Sequence, residues 1–327
     1  MTDCKLISIA PMMDWTDRHC RYLHRLMSRR ALLHTEMITA SALVHGPAAR
    51  LLRHHPAEHP VALQLGGSDP RELAHAARLG AEAGYDEINL NVGCPSDRVQ
   101  SGTFGACLMR EPGLVADCAA AMMAAVPDTP VTVKCRTGVD EQDPEVALPD
   151  FLARIAAAGV RRVIIHARKA WLEGLSPREN REIPPLDYAI VHRMKAAFPS
   201  LHVSVNGGIA SLAEAEGHLA AGLDGVMIGR AAYHDPAAIL PGIDPLVAGE
   251  PEGPGPDETI RAMLPYIEAE LSAGTHLNQI SRHMLGLFAG RPGARQWRRV
   301  LSENAHRPGA GPELLEAALA AMTARAA

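Results

Sequence analysis

Aromatic residues are scarce: four Phe, three Trp and five Tyr make up 4% of 327 residues. A core must therefore rest on Ala, Leu, Val, Ile and the 13 Met. No apolar run is long enough to span a membrane, so no membrane segment is expected. The opening Met1-Thr2-Asp3-Cys4-Lys5 lacks the basic and apolar regions of a signal peptide. Cysteines number six (Cys4, Cys20, Cys94, Cys107, Cys118 and Cys135), with no C-x-x-C pair and no Cys/His zinc spacing. Reduced thiols in the cytoplasm and no bound metal are the expectation. Positive charge is not in excess, since the formal net charge is −5. That argues against a general nucleic-acid binder and against a DNA-binding role, while leaving room for a local basic patch. A G-x-G-x-x-G after the first strand is also missing, which disfavours a dinucleotide-binding open sheet.

What is present is an alternation of short β-rich runs with Ala-rich helical stretches. Strands are predicted over 6–12, 32–37, 61–67, 87–92, 131–136, 162–167, 202–206 and 225–228. Helical stretches follow them, one opening at Asp69-Pro70 with an N-cap and a first-turn proline. Eight such units predict an α/β fold, a (β/α)8 TIM barrel over 1–240. The stretch 241–256 is rich in Pro and Gly and reads as a linker. Helices over 257–271, 276–288, 293–303 and 312–326 would form a small all-helical C-terminal domain.

The most informative segment is Asn89-Leu90-Asn91-Val92-Gly93-Cys94-Pro95. Its two asparagines point to one side of a strand, and the Gly-Cys-Pro turn places Cys94 at the C-terminal mouth, where barrels carry their chemistry. A thiol beside amides that can hold a flat polar ring suggests an acid that gives one proton to a heterocycle. The other strand ends are polar too: Gln64, Lys134 with Arg136, His166 with Arg168, Asn206, and Gly229-Arg230. One buried lysine could be a barrel-filling ion pair. Seven of the eight strand ends, counting Pro11-Met12-Met13 after the first, look like a site. Asn206-Gly207-Gly208 and Gly229-Arg230 follow the seventh and eighth strands, where barrels commonly bind phosphate.

These pieces together resemble the tRNA-dihydrouridine synthase family, and within it the A-type subfamily. The matching motifs are 10–16 (APMMDWT), 64–67 (QLGG), 89–95, 134–138 (KCRTG), 166–170 (HARKA), 206–209 (NGGI) and 228–230 (IGR), with the subfamily signature at 174–186 (GLSPRENREIPPL). The similarity runs along about the whole chain. It implies an FMN-dependent barrel that reduces the C5–C6 double bond of tRNA uridines with NADPH, at D-loop positions 20 and 20a for this subfamily. By the same resemblance, Pro11, Met12 and Met13 lie against the flavin. Gln64 bonds its pyrimidine side, and Lys134 and His166 sit near its N1–C2 edge. Asn206, Gly207, Gly208, Gly229 and Arg230 hold the phosphate. Flavin N5 gives hydride to uracil C6, Cys94 protonates C5, and Asn91 bonds the uracil edge.

Two basic clusters could touch tRNA phosphates: Arg178 and Arg181 after the sixth strand, and Arg295 and Arg298 in the helical domain. Trp297 lies off that second face and is expected in the helical core. A monomer is the default expectation. Two rivals share parts of this pattern: an FMN barrel that reduces a free pyrimidine or an enone, and a non-catalytic tRNA-binding protein.

Overall fold

Eight parallel strands curl into a barrel in the computed structural model, which describes residues 5–96 and 104–323. They are β1 (Leu6–Ile9), β2 (Leu33–Thr39), β3 (Val61–Gly66), β4 (Glu87–Val92), β5 (Val131–Arg136), β6 (Arg162–His166), β7 (His202–Asn206) and β8 (Gly225–Ile228). Neighbours pair in chain order from β2 to β8, and β8 pairs with β1. The ring closes where Leu32 donates to the Ile7 carbonyl (3.1 Å) and Ile9 donates to the Leu32 carbonyl (2.9 Å). β4, β5, β7 and β8 have the bounds expected from the sequence. β1 stops three residues short of expectation, because Pro11 has no N–H and the Met12 carbonyl turns back to accept from Trp15 (3.0 Å) and Thr16 (2.9 Å).

Strand alternation divides the side chains into two layers. Ile7, Leu33, Leu63, Leu65, Ile88, Leu90, Val133, Val163, Ile165, Val203, Val205, Val226 and Ile228 join the main apolar core, shared with the surrounding helices. The opposite face of the same strands is mostly polar: His34, Gln64, Glu87, Asn89, Asn91, Thr132, His166, Ser204 and Asn206 are all buried. Only Ala10, Ile164 and Met227, with Met12 against them, make a small separate apolar cluster. Barrels usually fill their interior with branched apolar residues. This one leaves its apolar work to the outer layer and holds its interior by hydrogen bonds.

Helix starts follow simple chemistry. Asp17, Asp69, Asp143 and Ser211 each accept backbone N–H bonds at the N-cap, and Pro70 and Pro144 occupy first-turn positions. Asp17 does more. Its carboxylate also takes Arg282 (2.6 Å) and His283 (3.0 Å) from the C-terminal helices. Burial alone would raise its pKa, but those two partners and the Cys20 N–H hold it well below the usual range.

The C-terminal helices are Pro256–Ser272, Leu277–Ser281, Ala294–Asn304 and Glu313–Thr323. Trp297 is fully buried among them, its indole donating to the Met284 carbonyl at 2.9 Å and meeting Phe288 edge-on. The single helix expected over 276–288 is instead Leu277–Ser281 followed by a 3-10 turn at Arg282–Met284. That break lets Arg282 and His283 reach Asp17. The helical unit docks on the barrel helix Arg18–Met27: Tyr22 stacks on Tyr266 with centroids 3.9 Å apart, His19 Nδ1 meets the Tyr266 hydroxyl at 2.7 Å, and Arg18 pairs with Glu270. The Pro/Gly-rich stretch 241–256 is also fastened down. It contains a helix, Ile243–Ala248, whose buried Asp244 accepts from the Ser28 hydroxyl (2.6 Å) and the N–H groups of Arg29 (2.9 Å) and Arg30 (3.0 Å). Composition suggested a tether there, but one buried carboxylate is enough to anchor it.

Arg18 holds the Glu270 carboxyl at about 2, against an ordinary value of 4.5. The unfolded chain binds that proton more readily, so the contact stabilises fully above about 4.5 and is lost as pH falls toward about 2. Glu270→Gln is expected to lower stability at neutral pH by on the order of 1–3 kcal/mol. The gap to the unsubstituted chain should close across that acid window, as read from urea midpoints; a pH-independent gap would contradict the linkage.

Candidate active site

The mouth of β4 carries Cys94 in a turn fastened at three points. Asn91 Oδ1 accepts from the N–H groups of Gly93 and Cys94, each at 3.0 Å. The Cys94 carbonyl accepts from Ala106 at 2.9 Å. The Gly93 carbonyl accepts from Arg136 Nε at 3.1 Å. The thiol itself is half-buried and faces the Ser96 hydroxyl at 3.5 Å. The asparagine two residues into the strand end is thus the local reason that the cysteine sits where it does.

Arg136 is buried and has no carboxylate beside it among the described residues. Its guanidinium bonds three backbone carbonyls: Gly93, Lys169 (3.2 Å) and Asn180 (2.9 Å). Burial pulls its pKa down to about 10, which leaves it charged. Asn180, fully buried, organises the loop on the far side by accepting from Trp171 N–H (2.7 Å) and donating to the Trp171 (2.8 Å) and Leu175 (3.0 Å) carbonyls. Arg136 therefore ties the cysteine turn to the insertion after β6.

Lys134 lies across from Asn91 in the β4–β5 register. The residue is half-buried, and its ammonium has no hydrogen-bond or carboxylate partner among the described residues. Burial, and then the charge of Arg136, bring its pKa down to about 8. His166 on β6 is kept well below the imidazole range by burial and by Arg136 and Lys134, so it is neutral. Arg181 stands on the exposed lip, within electrostatic range of Cys94. The result is a concentration of positive charge with spare donors, suited to an anionic or electron-rich ring.

The β7 and β8 mouths lie beside it. Asn206 donates to the Met227 carbonyl at 2.8 Å. Gly207 and Gly208 have φ of 108° and 72°, and a Cβ on them would sit 2.6 Å from the His166 ring and 2.5 Å from Leu186 respectively. Gly207 lets the buried turn pass close beside His166, and Gly208 leaves its backbone exposed. Tyr188 locks the turn by donating to the Gly207 carbonyl at 2.6 Å. Gly229 meets Ala10 and Met12, which brings the β1 loop to the β8 mouth. Pro11 and Met12 are half-buried at this edge, while Met13 is 57% exposed. Arg230 is partly exposed and pairs with Glu182 at 2.9 Å; Arg178 reaches the same carboxylate at 3.5 Å. Gln64 is buried between Asn91 and Asn89.

Structure therefore gathers Gln64, Asn91, Cys94, Lys134, His166, Asn206, Gly207, Gly208, Gly229 and Arg230 around one mouth, with Pro11 and Met12 on its β1 side. Arg295 and Arg298 lie elsewhere, on the helical unit. With Arg291 they line an open hollow of about 380 Å³ around Gly290 and Gly293. These three arginines have no carboxylate partner among the described residues, whereas Arg299 is paired with Glu303 at 3.3 Å. Sequence reasoning saw Arg136 and Arg168 as polar strand ends but missed what they do. A charged residue two positions after Lys134 on the same face was the available signal for Arg136. Asn180 and Glu182 lie inside the 174–186 signature, but nothing local showed what either side chain holds.

Residues 8–323 match the dihydrouridine synthase (Dus) family model. The chain belongs to the dihydrouridine synthase family. It is 59% identical over 322 residues to a tRNA-dihydrouridine(20/20a) synthase of Vibrio cholerae serotype O1, covering 98% of this chain and 97% of that one. A protein of the same name from Shewanella oneidensis is 58% identical, with 96% and 93% covered. Among solved structures, the old yellow enzyme of Trypanosoma cruzi superposes with a TM-score of 0.53 at 13% identity, over 77% of this chain and 90% of that one. A homologue from Zymomonas mobilis gives 0.52 at 13%, over 70% and 86%. These two likenesses show the barrel fold alone. The family is one of flavin oxidoreductases, and the mouth fits a flavin. An unpartnered ammonium, a neutral imidazole and a glycine turn that no Cβ could occupy are what an electron-rich ring and a phosphate need.

Binding of an anionic flavin favours protonated Lys134. Its affinity is expected to fall as pH rises above about 8, by at most roughly tenfold per pH unit. Quenching of flavin fluorescence on binding would measure this, and in Lys134→Met the slope should vanish. An equal slope in the variant would exclude Lys134 as the titrating group.

Proposed function

We propose that this protein is an FMN-dependent tRNA-dihydrouridine synthase that reduces D-loop uridines, at positions 20 and 20a, with NADPH as reductant. The observation that carries this reading is the fastened Cys94 turn beside the unpartnered Lys134 in a chain of this family. The relatives' names supply the substrate and its positions.

Bound at the mouth, FMN supplies the hydride for uracil C6, with electrons drawn from NADPH. Lys134 holds positive charge where the reduced ring is anionic. Gln64 offers its amide to the pyrimidine side of the ring, His166 a neutral imidazole, and Pro11, Met12 and Met13 an apolar edge. Asn206, Gly207, Gly208, Gly229 and Arg230 hold the phosphate. The target uridine leaves the RNA stack to reach a site this recessed. Cys94 then gives its thiol proton to C5. The acid is the neutral thiol, so no activation to thiolate is needed beforehand. Asn91 has one amide N–H left after bonding Gln64, and this serves the uracil edge.

Arg178 and Arg181 on the lip, and Arg295 and Arg298 on the helical unit, are placed to take phosphates. Such contacts fix register without reading bases. A net charge of −5 makes this local placement necessary. Among the described residues, exposed large apolar side chains are isolated ones, Met13, Val146 and Ile183, which supports a monomer. No helix of the described residues is long and apolar enough to cross a membrane.

Cys94→Ala is expected to keep FMN and to oxidise NADPH at the unsubstituted rate, while dihydrouridine formation drops by roughly 100-fold or more. Normal dihydrouridine formation would remove the proton-donor role. Activity on free uracil with none on tRNA would favour a small-molecule reductase. Arg295→Ala with Arg298→Ala should weaken tRNA binding and lessen the dependence of log Kd on log salt by about 2. An unchanged slope would mean those arginines are merely solvated.

A further inference from the structure

A continuous row of hydrogen bonds runs from the Cys94 turn to the floor of the barrel. Gly93 and Cys94 N–H groups donate to Asn91 Oδ1 (3.0 Å each). Asn91 Nδ2 donates to Gln64 Oε1 (2.8 Å). Gln64 Nε2 donates to Asn89 Oδ1 (2.8 Å). Asn89 Nδ2 donates to Thr132 Oγ1 (2.8 Å). The Thr132 hydroxyl donates to Glu87, which is paired with Arg162. Asn91, Gln64, Asn89, Thr132 and Glu87 are all buried.

Every bond in this row donates in the same direction, and both ends require it. Backbone N–H groups can only donate, so Asn91 must present oxygen to the turn. A carboxylate facing a guanidinium can only accept, so Thr132 must donate to Glu87. Thr132 has one hydroxyl proton, and once it is given to Glu87 the oxygen must accept from Asn89. Three amides between these ends are then left with one orientation each. Reversing any of them would set N–H against N–H on one side and oxygen against oxygen on the other. Aligned in this way the dipoles reinforce one another, with their positive ends toward the Glu87 charge.

We infer that Glu87, Thr132 and Asn89 are positioning residues, which set the orientation of the Gln64 and Asn91 amides from the barrel floor and through Asn91 hold the turn that presents Cys94. None of the three reaches the mouth. Their influence passes through two amides that do. This deepens the proposed function and rests on it for the chemistry, but not for the geometry. The selection of an amide face matters because Gln64 and Asn91 each have one donor valence left over, and the row decides where it points.

Thr132→Val preserves shape and removes both the acceptor and the donor, whereas Thr132→Ser keeps the hydroxyl. The first readout is alkylation of Cys94 by iodoacetamide in flavin-free protein, followed by peptide mass spectrometry. T132V is expected to speed alkylation roughly tenfold, as one buried hydrogen bond is lost, and T132S to stay within about twofold of the unsubstituted protein. Asn89→Leu cuts the row at its middle and is expected to behave as T132V. The second readout uses the loaded enzyme: T132V should slow the uridine step by roughly tenfold and leave flavin reduction by NADPH unchanged. An unsubstituted rate in T132V on either readout, or an equal change in T132V and T132S, overturns the inference. Absence of dihydrouridine with the unsubstituted protein would defeat the proposed function instead, and the alkylation comparison would still decide this one.

Discussion

Positive charge buried without a carboxylate is the constraint on which the rest of this mouth depends. Arg136 cannot shed its proton, so its cost must be met by dipoles. Three backbone carbonyls supply them, from Gly93, Lys169 and Asn180. In doing so the guanidinium draws together the cysteine turn after β4 and the insertion after β6, segments more than 70 positions apart in the chain. Burial first, and then the same charge, lowers the pKa of Lys134 and keeps His166 neutral. One buried cation thereby sets the shape of the site and adds to what burial does to the protonation of two neighbours.

A polar interior makes that possible. The apolar core lies outside the barrel, between strands and helices, and continues into the C-terminal unit without a break. Stability is thus supplied where chemistry does not happen. Inside, a row of hydrogen bonds links each amide to the next. The arrangement resists a change of orientation but has little tolerance for a missing member. The helical unit is joined to the same framework through Asp17, which caps the first barrel helix and receives Arg282 and His283. The helical unit and the barrel therefore share a carboxylate.

The barrel was legible in the sequence because strands and mouths announce themselves locally. Short β-rich runs placed β4, β5, β7 and β8, and the Gly-Cys-Pro turn put Cys94 at a strand mouth, where it lies. Gly207-Gly208 after β7 and Gly229-Arg230 after β8 marked the proposed phosphate side in the same way. What escaped was long-range. Arg136 reads as one more polar strand end until the carbonyls it holds are seen. Asn180 and Glu182 sit in a loop whose residues have no period to betray them. The stretch 241–256 looked like a tether by composition, and only the contacts of Asp244 with Ser28, Arg29 and Arg30 show it to be anchored. Where the helix expected over 276–288 gives way to a 3-10 turn, Arg282 and His283 meet Asp17, a partner near the other end of the chain. Local propensity carries no information about such a partner.

The account stands on the claim that this positive mouth serves uridines of tRNA. The most direct test is a nucleotide-resolved map of dihydrouridine in tRNA made without modifications and incubated with the FMN-loaded protein and NADPH. Dihydrouridine confined to D-loop positions 20 and 20a is the predicted result. An unmodified map from protein whose flavin is bound and reduced by NADPH would contradict it.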